Sequence, residues 1–241
     1  MNLDLKIVGR LPDGFHELVT TMQAIALHDL VMVAPAAETS LTADGLTVPQ
    51  GSENSVLKAH AALEAAARRA LPARFHLHKR IPPGSGMGGA SSDAAAALVA
   101  LKTLFRLDVD LAPVALEAGA DVPFFLSGGR ARAEGRGERL TPMSDEPAWF
   151  AIAWPRIELS TASVYRAWDD VKGEGSNDLQ RAAEHVDARV RDFARNLGDE
   201  WQMTGSGSAF FKRCASEAEA QGAAATLECW AAVTSAVARW A

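Results

Sequence analysis

Between Pro82 and Ala97 the chain reads PPGSGMGGASSDAAAA, with four glycines and two adjacent serines running into alanines. That composition suits an anion. Glycine lets the main chain pass close to a ligand with its N–H groups turned inward, and a helix starting at once afterwards adds orphan N–H donors and the positive end of its dipole. Gly84, Gly86, Gly88 and Gly89, with Pro83 before them, Ser85 and Met87 between them and Ala90 after them, would form the loop. The hydroxyls of Ser91 and Ser92 would add donors or hold a phosphate-bound metal. With no ligand, the same residues would be a glycine-rich turn before a buried alanine helix.

Two other phosphate loops fit less well. Gly84, Gly86 and Gly89 satisfy GxGxxG, but a dinucleotide fold puts a continuously apolar strand just before it. Here the preceding run is RFHLHKRIPP, charged and closed by two prolines. Asp108 stands at the distance of a ribose-binding acid, yet its surroundings, RLDVDLAP, are too short and acidic for a central strand. A GxxxxGK[ST] loop fails because no lysine follows the last glycine.

The elements that would position this loop can be read from hydrophobic period and caps. Residues 3 to 8 alternate, with Leu3, Leu5 and Ile7 on one face, and predict a strand followed by the turn GRLPDGFHE. A second strand runs from Leu30 to Ala34. Ser52 to Ser55 offer caps for a helix carrying Val56, Leu57, Leu63 and Leu71, and Phe75, Leu77 and Ile81 form a short strand into the glycine loop. A helix over about residues 90 to 105 follows, then one capped by Asp110 and ending near Gly119, then a hairpin or an exposed strand in GGRARAEGRGERL. Beyond it come the strand AWFAIAW, one long amphipathic helix after Asn177 and Asp178 reaching Leu197, the GSGS loop, and the strand AFFK. Ser216 and Glu219 form a capping box, and Val233 to Val237 close with a strand. Strands separated by two helices in this second half predict a ferredoxin-like α+β layer, and the domains divide as 1–146 and 147–241.

At 241 residues the chain can bury a substantial core. Its net charge of −6 argues against a nucleic-acid surface, which needs clustered Lys and Arg, so an anionic ligand must be held by local donors. No apolar run has the length of a bilayer span, and a soluble, cytoplasmic protein is expected. Cys214 and Cys229 lack metal-site or disulfide-scaffold spacing and read as small core residues.

Several separated segments resemble one family, the GHMP kinases: the glycine loop itself, NLDLKIVGRLPDGFHEL at the N-terminus, GADVPFFLSG, STASVY, GSNDL and MTGSGSAFF, in that order over nearly the whole chain. The resemblance is strongest to the members that phosphorylate a cytidine-diphosphate-linked alcohol in non-mevalonate isoprenoid biosynthesis. It implies a two-domain α+β fold with an N-terminal ribosomal-protein-S5-like domain and a C-terminal ferredoxin-like domain, with ATP and Mg2+ as cofactors. The implied partner is a small molecule bearing a cytidine diphosphate group, with no nucleic acid and no membrane, and the protein a monomer or weak homodimer.

By the same resemblance, Asp121 would orient the acceptor hydroxyl and take its proton. The glycine loop would hold the phosphates, and Asn54 would contact adenine or merely cap its helix. Phe15 and Tyr165 would stack on the base and His16 would hydrogen-bond to its edge, Phe15 replacing a tyrosine common in relatives. Thr161 aligns with a polar contact in that pocket and Asn2 with an asparagine near the reacting hydroxyl. Gly205, Ser206 and Gly207 would form a second glycine loop, or a plain tight turn. Asp93, where relatives often carry asparagine, could meet metal, cap the helix or face water.

In the family a lysine stands two residues before the asparagine aligned with Asn2, a position that precedes Met1. Lys6 does not replace it, since the shift of register that would bring it there would break the alignment of GRLPDGFH. The expectation is that this lysine is encoded upstream. Two alternatives stay open: a GHMP kinase of another small-alcohol specificity, or a nucleotide-binding protein impaired in catalysis.

Overall fold

The computed structural model describes residues 1–240. In chain order the elements are β1 (Lys6–Arg10), β2 (His16–Gln23), β3 (Leu30–Pro35), β4 (Ser40–Gly45), α1 (Ser55–Ala67), β5 (Ala73–Lys79), α2 (Gly89–Leu104), α3 (Leu111–Ala118), α4 (Phe124–Ser127), β6 (Arg130–Gly135) and β7 (Arg139–Pro142). They continue with β8 (Trp149–Trp154), α5 (Thr161–Val171), α6 (Gln180–Val186), α7 (Ala188–Leu197), β9 (Gln202–Met203), β10 (Phe210–Cys214), α8 (Glu217–Ala225) and β11 (Trp230–Ser235). The fold is mixed α+β. Two compact units share the chain: one comprises Met1–Leu27, Gly84–Met87 and Gly128–Ala241, the other His28–Pro83 and Gly88–Ser127. The chain passes between them at four points, whereas a division at 146/147 cuts it once.

In the second unit, β3, β5 and β4 form a sheet in that order, β3 antiparallel and β4 parallel to β5. Strand β5 alternates as its sequence demands, with Ala73, Phe75, Leu77 and Lys79 all buried. The first three join a core with Leu63 of α1 and Leu98 and Leu101 of α2. Lys79, in phase with them, carries a charge inward. Helix α1 starts where Asn54 accepts from the Val56 N–H, and it ends at Arg68 in the left-handed conformation. Leu71 therefore lies beyond the helix, still fully buried.

The first unit holds two antiparallel sheets, β1-β2-β6-β7 and β11-β8-β10-β9. In the latter, the order last, first, third, second of the four strands, with α5 to α7 and then α8 as the two helical connections, is the ferredoxin-like arrangement. Phe210, Val164, Leu179 and Val190 centre its core.

Some elements differ from the sequence reading. The single long helix is two, because Asp187 takes an extended conformation and its carboxylate accepts from the Arg189 N–H, ending α6 and capping α7. Helices α4 and α5 and strands β2, β4 and β9 lack a prediction, and β1 begins at Lys6 rather than residue 3. The capping box forms with one change of partner: Ser216 accepts from the Glu219 N–H, while Glu219 accepts from the N–H of Ala215. Among the described residues no helix is long and apolar enough to cross a membrane.

Candidate active site

The first half of the glycine segment lies against the second glycine motif, backbone on backbone. Gly84 and Gly86 have positive φ, as do Gly205 and Gly207. A Cβ at Gly86 would lie 2.3 Å from the Thr204 carbonyl oxygen and 2.7 Å from the Gly207 nitrogen, and one at Gly205 would lie 2.5 Å from the Gly86 carbonyl oxygen. No other residue fits. The Ala209 N–H donates to the Ser85 carbonyl, and the Leu159 N–H to that of Gly84. Pro83 precedes this contact and Met87, buried, follows it.

In the second unit, Gly88 takes the left-handed conformation at the start of α2 and provides no side-chain cap. The first-turn N–H groups of Gly89, Ala90 and Ser91 thus have no acceptor within the helix, a ready site for a phosphate. The Ser92 hydroxyl donates to the Gly89 carbonyl, and its oxygen keeps its lone pairs. A Cβ at Gly89 would lie 2.8 Å from Ile81 Cγ2 and 3.1 Å from Lys79 Nζ.

Lys79 answers the open question about Asp93. Its ammonium lies 2.6 Å from Asp93 and 2.6 Å from Asp29, all three buried. Asp29 also accepts the N–H groups of Arg80 and Ile81. Burial raises the Asp93 pKa to about 7; the Lys79 charge opposes that rise and Asp29 adds to it. Asp93 thus fastens the first turns of α2 to the end of β5. Neither Lys79 nor Asp29 was singled out in the sequence, although the phase of β5 marks Lys79 as inward.

Asp121 sits in the turn between α3 and α4, where the Val122 N–H donates to the Gly119 carbonyl. Burial raises the pKa of its carboxyl. Asn54 is buried and occupied as a cap, its Oδ1 accepting from the Val56 N–H and its Nδ2 donating to the Pro49 carbonyl. The structural half of its two expected roles is therefore present.

In the first unit, residues far apart in sequence meet around His16. Its ring centroid is 5.3 Å from that of Tyr165, tilted by 31°, and 5.3 Å from Trp168, edge on. Its Nε2 lies 2.9 Å from Asp169, whose other oxygen takes the Arg10 guanidinium at 2.5 Å. Arg10 and His16, hydrogen-bonded to Asp169, hold its carboxyl below the usual range. Phe15 is 57 % exposed, with Arg136 over its ring at 4.5 Å. Asp169, Trp168 and Arg10 went unnoticed in the sequence; the i, i+4 spacing of Tyr165 and Asp169 on α5 is the signal that points to the first of them.

Thr161 opens α5, and its Oγ1 is 3.0 Å from the Ser206 hydroxyl, bringing two of the expected residues together. The backbone N–H of Asn2 donates to Thr204 Oγ1 and its side-chain amide to Thr20 Oγ1. Asn177, buried, donates from its amide to the carbonyls of Met203 and Gly205, holding the second glycine motif in place. Among the described residues there is no cluster of three His, Cys, Asp or Glu suited to a metal ion.

Residues 54–129 match the family model for the GHMP kinase N-terminal domain. Over 94 % of its length this chain is 37 % identical to the 4-diphosphocytidyl-2-C-methyl-D-erythritol kinase of Pseudomonas savastanoi pv. phaseolicola, covering 85 % of that protein. The chain belongs to the 4-diphosphocytidyl-2-C-methyl-D-erythritol kinase family. The member from Ralstonia nicotianae is 39 % identical, with 88 % of this chain and 81 % of that one aligned. The crystal structure of a 4-(cytidine 5'-diphospho)-2C-methyl-D-erythritol kinase superposes with a TM-score of 0.82 at 34 % identity, covering 98 % of this chain and 96 % of that one. The family is one of small-molecule kinases, and its fold is the GHMP kinase fold expected from the sequence.

Proposed function

We propose that this protein transfers the γ-phosphoryl group of ATP to the 2-hydroxyl of 4-diphosphocytidyl-2-C-methyl-D-erythritol, a step in non-mevalonate isoprenoid precursor biosynthesis. The observation that carries the reading is the 37 % identity to a kinase of that name across 94 % of the chain. Its physical counterpart is the glycine segment, where positive-φ residues leave no room for side chains and a helix begins without a side-chain cap.

On this reading residues 83–92 bind the ATP phosphates through backbone N–H groups and the Ser91 hydroxyl, and Asn54 stands at the adenine end. Mg2+ would neutralise charge on the phosphate oxygens, which with water would supply most of its ligands, since it keeps several waters and few protein groups. Asp121 orients the 2-hydroxyl and receives its proton as the new P–O bond forms and the bond to the ADP oxygen breaks. A pKa raised by burial makes its carboxylate a stronger base than an exposed aspartate. Phe15, His16 and Tyr165 hold the cytosine, Thr161 and Ser206 line the same pocket, and Asn2, Gly205 and Gly207 border the reacting end. Residues 1–146 and 147–241 act as the N- and C-terminal kinase domains, in the cytoplasm, as a monomer or weak homodimer.

A coupled ADP-release assay over a panel of alcohols tests the reading. Turnover of the cytidine-diphosphate-linked alcohol, with none of homoserine or mevalonate, is the expected result; turnover of either of the latter two alone would replace it with another specificity.

A further inference from the structure

The reading above makes His16 the group that meets the edge of the base but leaves open how a histidine, donor or acceptor at either nitrogen, tells cytosine from uracil. We infer that Asp169 is a positioning residue that fixes His16 in the Nε2–H tautomer, so that Nδ1 presents a lone pair able to accept from the 4-amino group of cytosine and opposed to the 4-carbonyl oxygen of uracil. This rests on the proposed role of His16 at the base.

The geometry supplies each step. Asp169 stands 2.9 Å from His16 Nε2 and 2.5 Å from Arg10, which has only donors to give. The two hydrogen bonds hold the Asp169 carboxyl low, so it is ionised at neutral pH and can only accept. The proton of a neutral His16 must then sit on Nε2, and Nδ1 becomes the acceptor. A flip of the ring, which would put a carbon where each nitrogen stands, would break the bond from Nε2 to Asp169 and is opposed by the packed rings of Tyr165 and Trp168. Two pyrimidines of nearly the same shape differ at C4 and in the proton on the adjoining N3; at C4 an amine meets the lone pair and a carbonyl is repelled by it.

Asp169→Asn separates this device from simple packing, because it keeps the size of the side chain. Arg10 can only donate and therefore claims the new carbonyl oxygen, leaving the amide NH2 facing His16. Nε2 becomes an acceptor, the proton moves to Nδ1, and the reading is inverted. With cytidine- and uridine-diphosphate-linked methylerythritol as paired substrates, the variant should lower the ratio of their kcat/KM values about 100-fold, through KM with kcat nearly unchanged. An unchanged ratio, or a loss confined to kcat, overturns the inference while leaving the proposed activity intact. If the wild-type enzyme turns over neither substrate, both the inference and the activity it rests on fall.

Nitrogen-15 spectra of the wild-type protein give an answer even if the variant does not fold. The His16 signals, assigned through His16→Gln, should show a pyrrole-type Nε2 and a pyridine-type Nδ1, with Nδ1 shifting on addition of CDP and not of UDP. A pyrrole-type Nδ1, or equal response to both nucleotides, overturns the proposal.

Discussion

The glycine segment and the cluster around His16 are built on opposite plans. Around Gly86 the main chain itself is the material: two motifs approach until only hydrogens fit between them, and the donors offered to a ligand are peptide N–H groups. Around His16 the backbone is ordinary strand and helix, and the selectivity lies in side chains that constrain one another. A site made of main chain fails by distortion, losing fold and ligand together. One made of side chains fails by losing discrimination while the fold stands.

The largest effect is expected outside both regions and sets the scale for them. Asp121→Asn should reduce kcat by about 100- to 10,000-fold with little change in KM, read by ADP release. Because burial raises the folded pKa of Asp121, activity should climb as pH rises through a value above the ordinary carboxylate range. Stability has the opposite sign: the ionised form is the one burial penalises, so the contribution is greatest below the unfolded pKa and is lost as pH rises through the folded one. Denaturant midpoints against pH should flatten in the Asn variant.

Next in size is Lys79→Met, beside Gly89 at the first turn of α2. It leaves Asp29 and Asp93 buried without their cation and should destabilise by about 3 to 5 kcal/mol, with much of the loss restored by adding Asp93→Asn. In the wild type the Asp93 contribution, with a folded pKa of about 7, is present at low pH and lost as pH rises towards that value. Asp93→Asn alone should remove this slope in urea titrations between the unfolded carboxylate value, near 3.9, and neutrality.

Gly86→Ala attacks the main chain directly. With φ at 77° and the Thr204 oxygen 2.3 Å from the new methyl group, a loss of about 2 to 3 kcal/mol in urea midpoint is expected, together with a higher KM for ATP. Gly14→Ala is its control: φ is 87° but nothing lies within 4 Å, so only the conformational penalty of about 1 kcal/mol applies. Equal losses at the two glycines would break the contrast between the plans.

The smallest effect on the fold belongs to the side-chain site. Phe15→Leu, at a ring 57 % exposed, should move stability by less than about 0.5 kcal/mol. It should still raise KM for the cytidine substrate about tenfold, from lost stacking, at constant kcat. A fall in kcat instead would place Phe15 nearer the chemistry than the base.

What the sequence discloses follows the same division. Gly84, Gly86, Gly88 and Gly89 declare themselves because a side chain at any of them would crowd its neighbours, and Asn54, Asp110 and Ser216 announce their helices because caps act within a few residues. The partnership of His16 with Asp169 spans 153 positions and leaves no local trace. Strand β2 went unread because its burial alternates over Leu18, Thr20 and Met22 while its residue types do not, with threonine inside and valine half outside, and α6 and α7 read as one helix because their apolar stripe continues across Asp187. The acidic partners of Lys79 come from a loop 50 residues before it and a helix 14 after it.

The interlock of Gly86 with residues 204–207 also bears on how such enzymes diversify. Neither motif can be exchanged by itself: a chimera that borrows residues 84–89 from a homologue inherits a mould whose counterpart was cast elsewhere. Recombination breakpoints should therefore be tolerated where both stretches come from one parent, and drift at either should be matched by compensating change in the other.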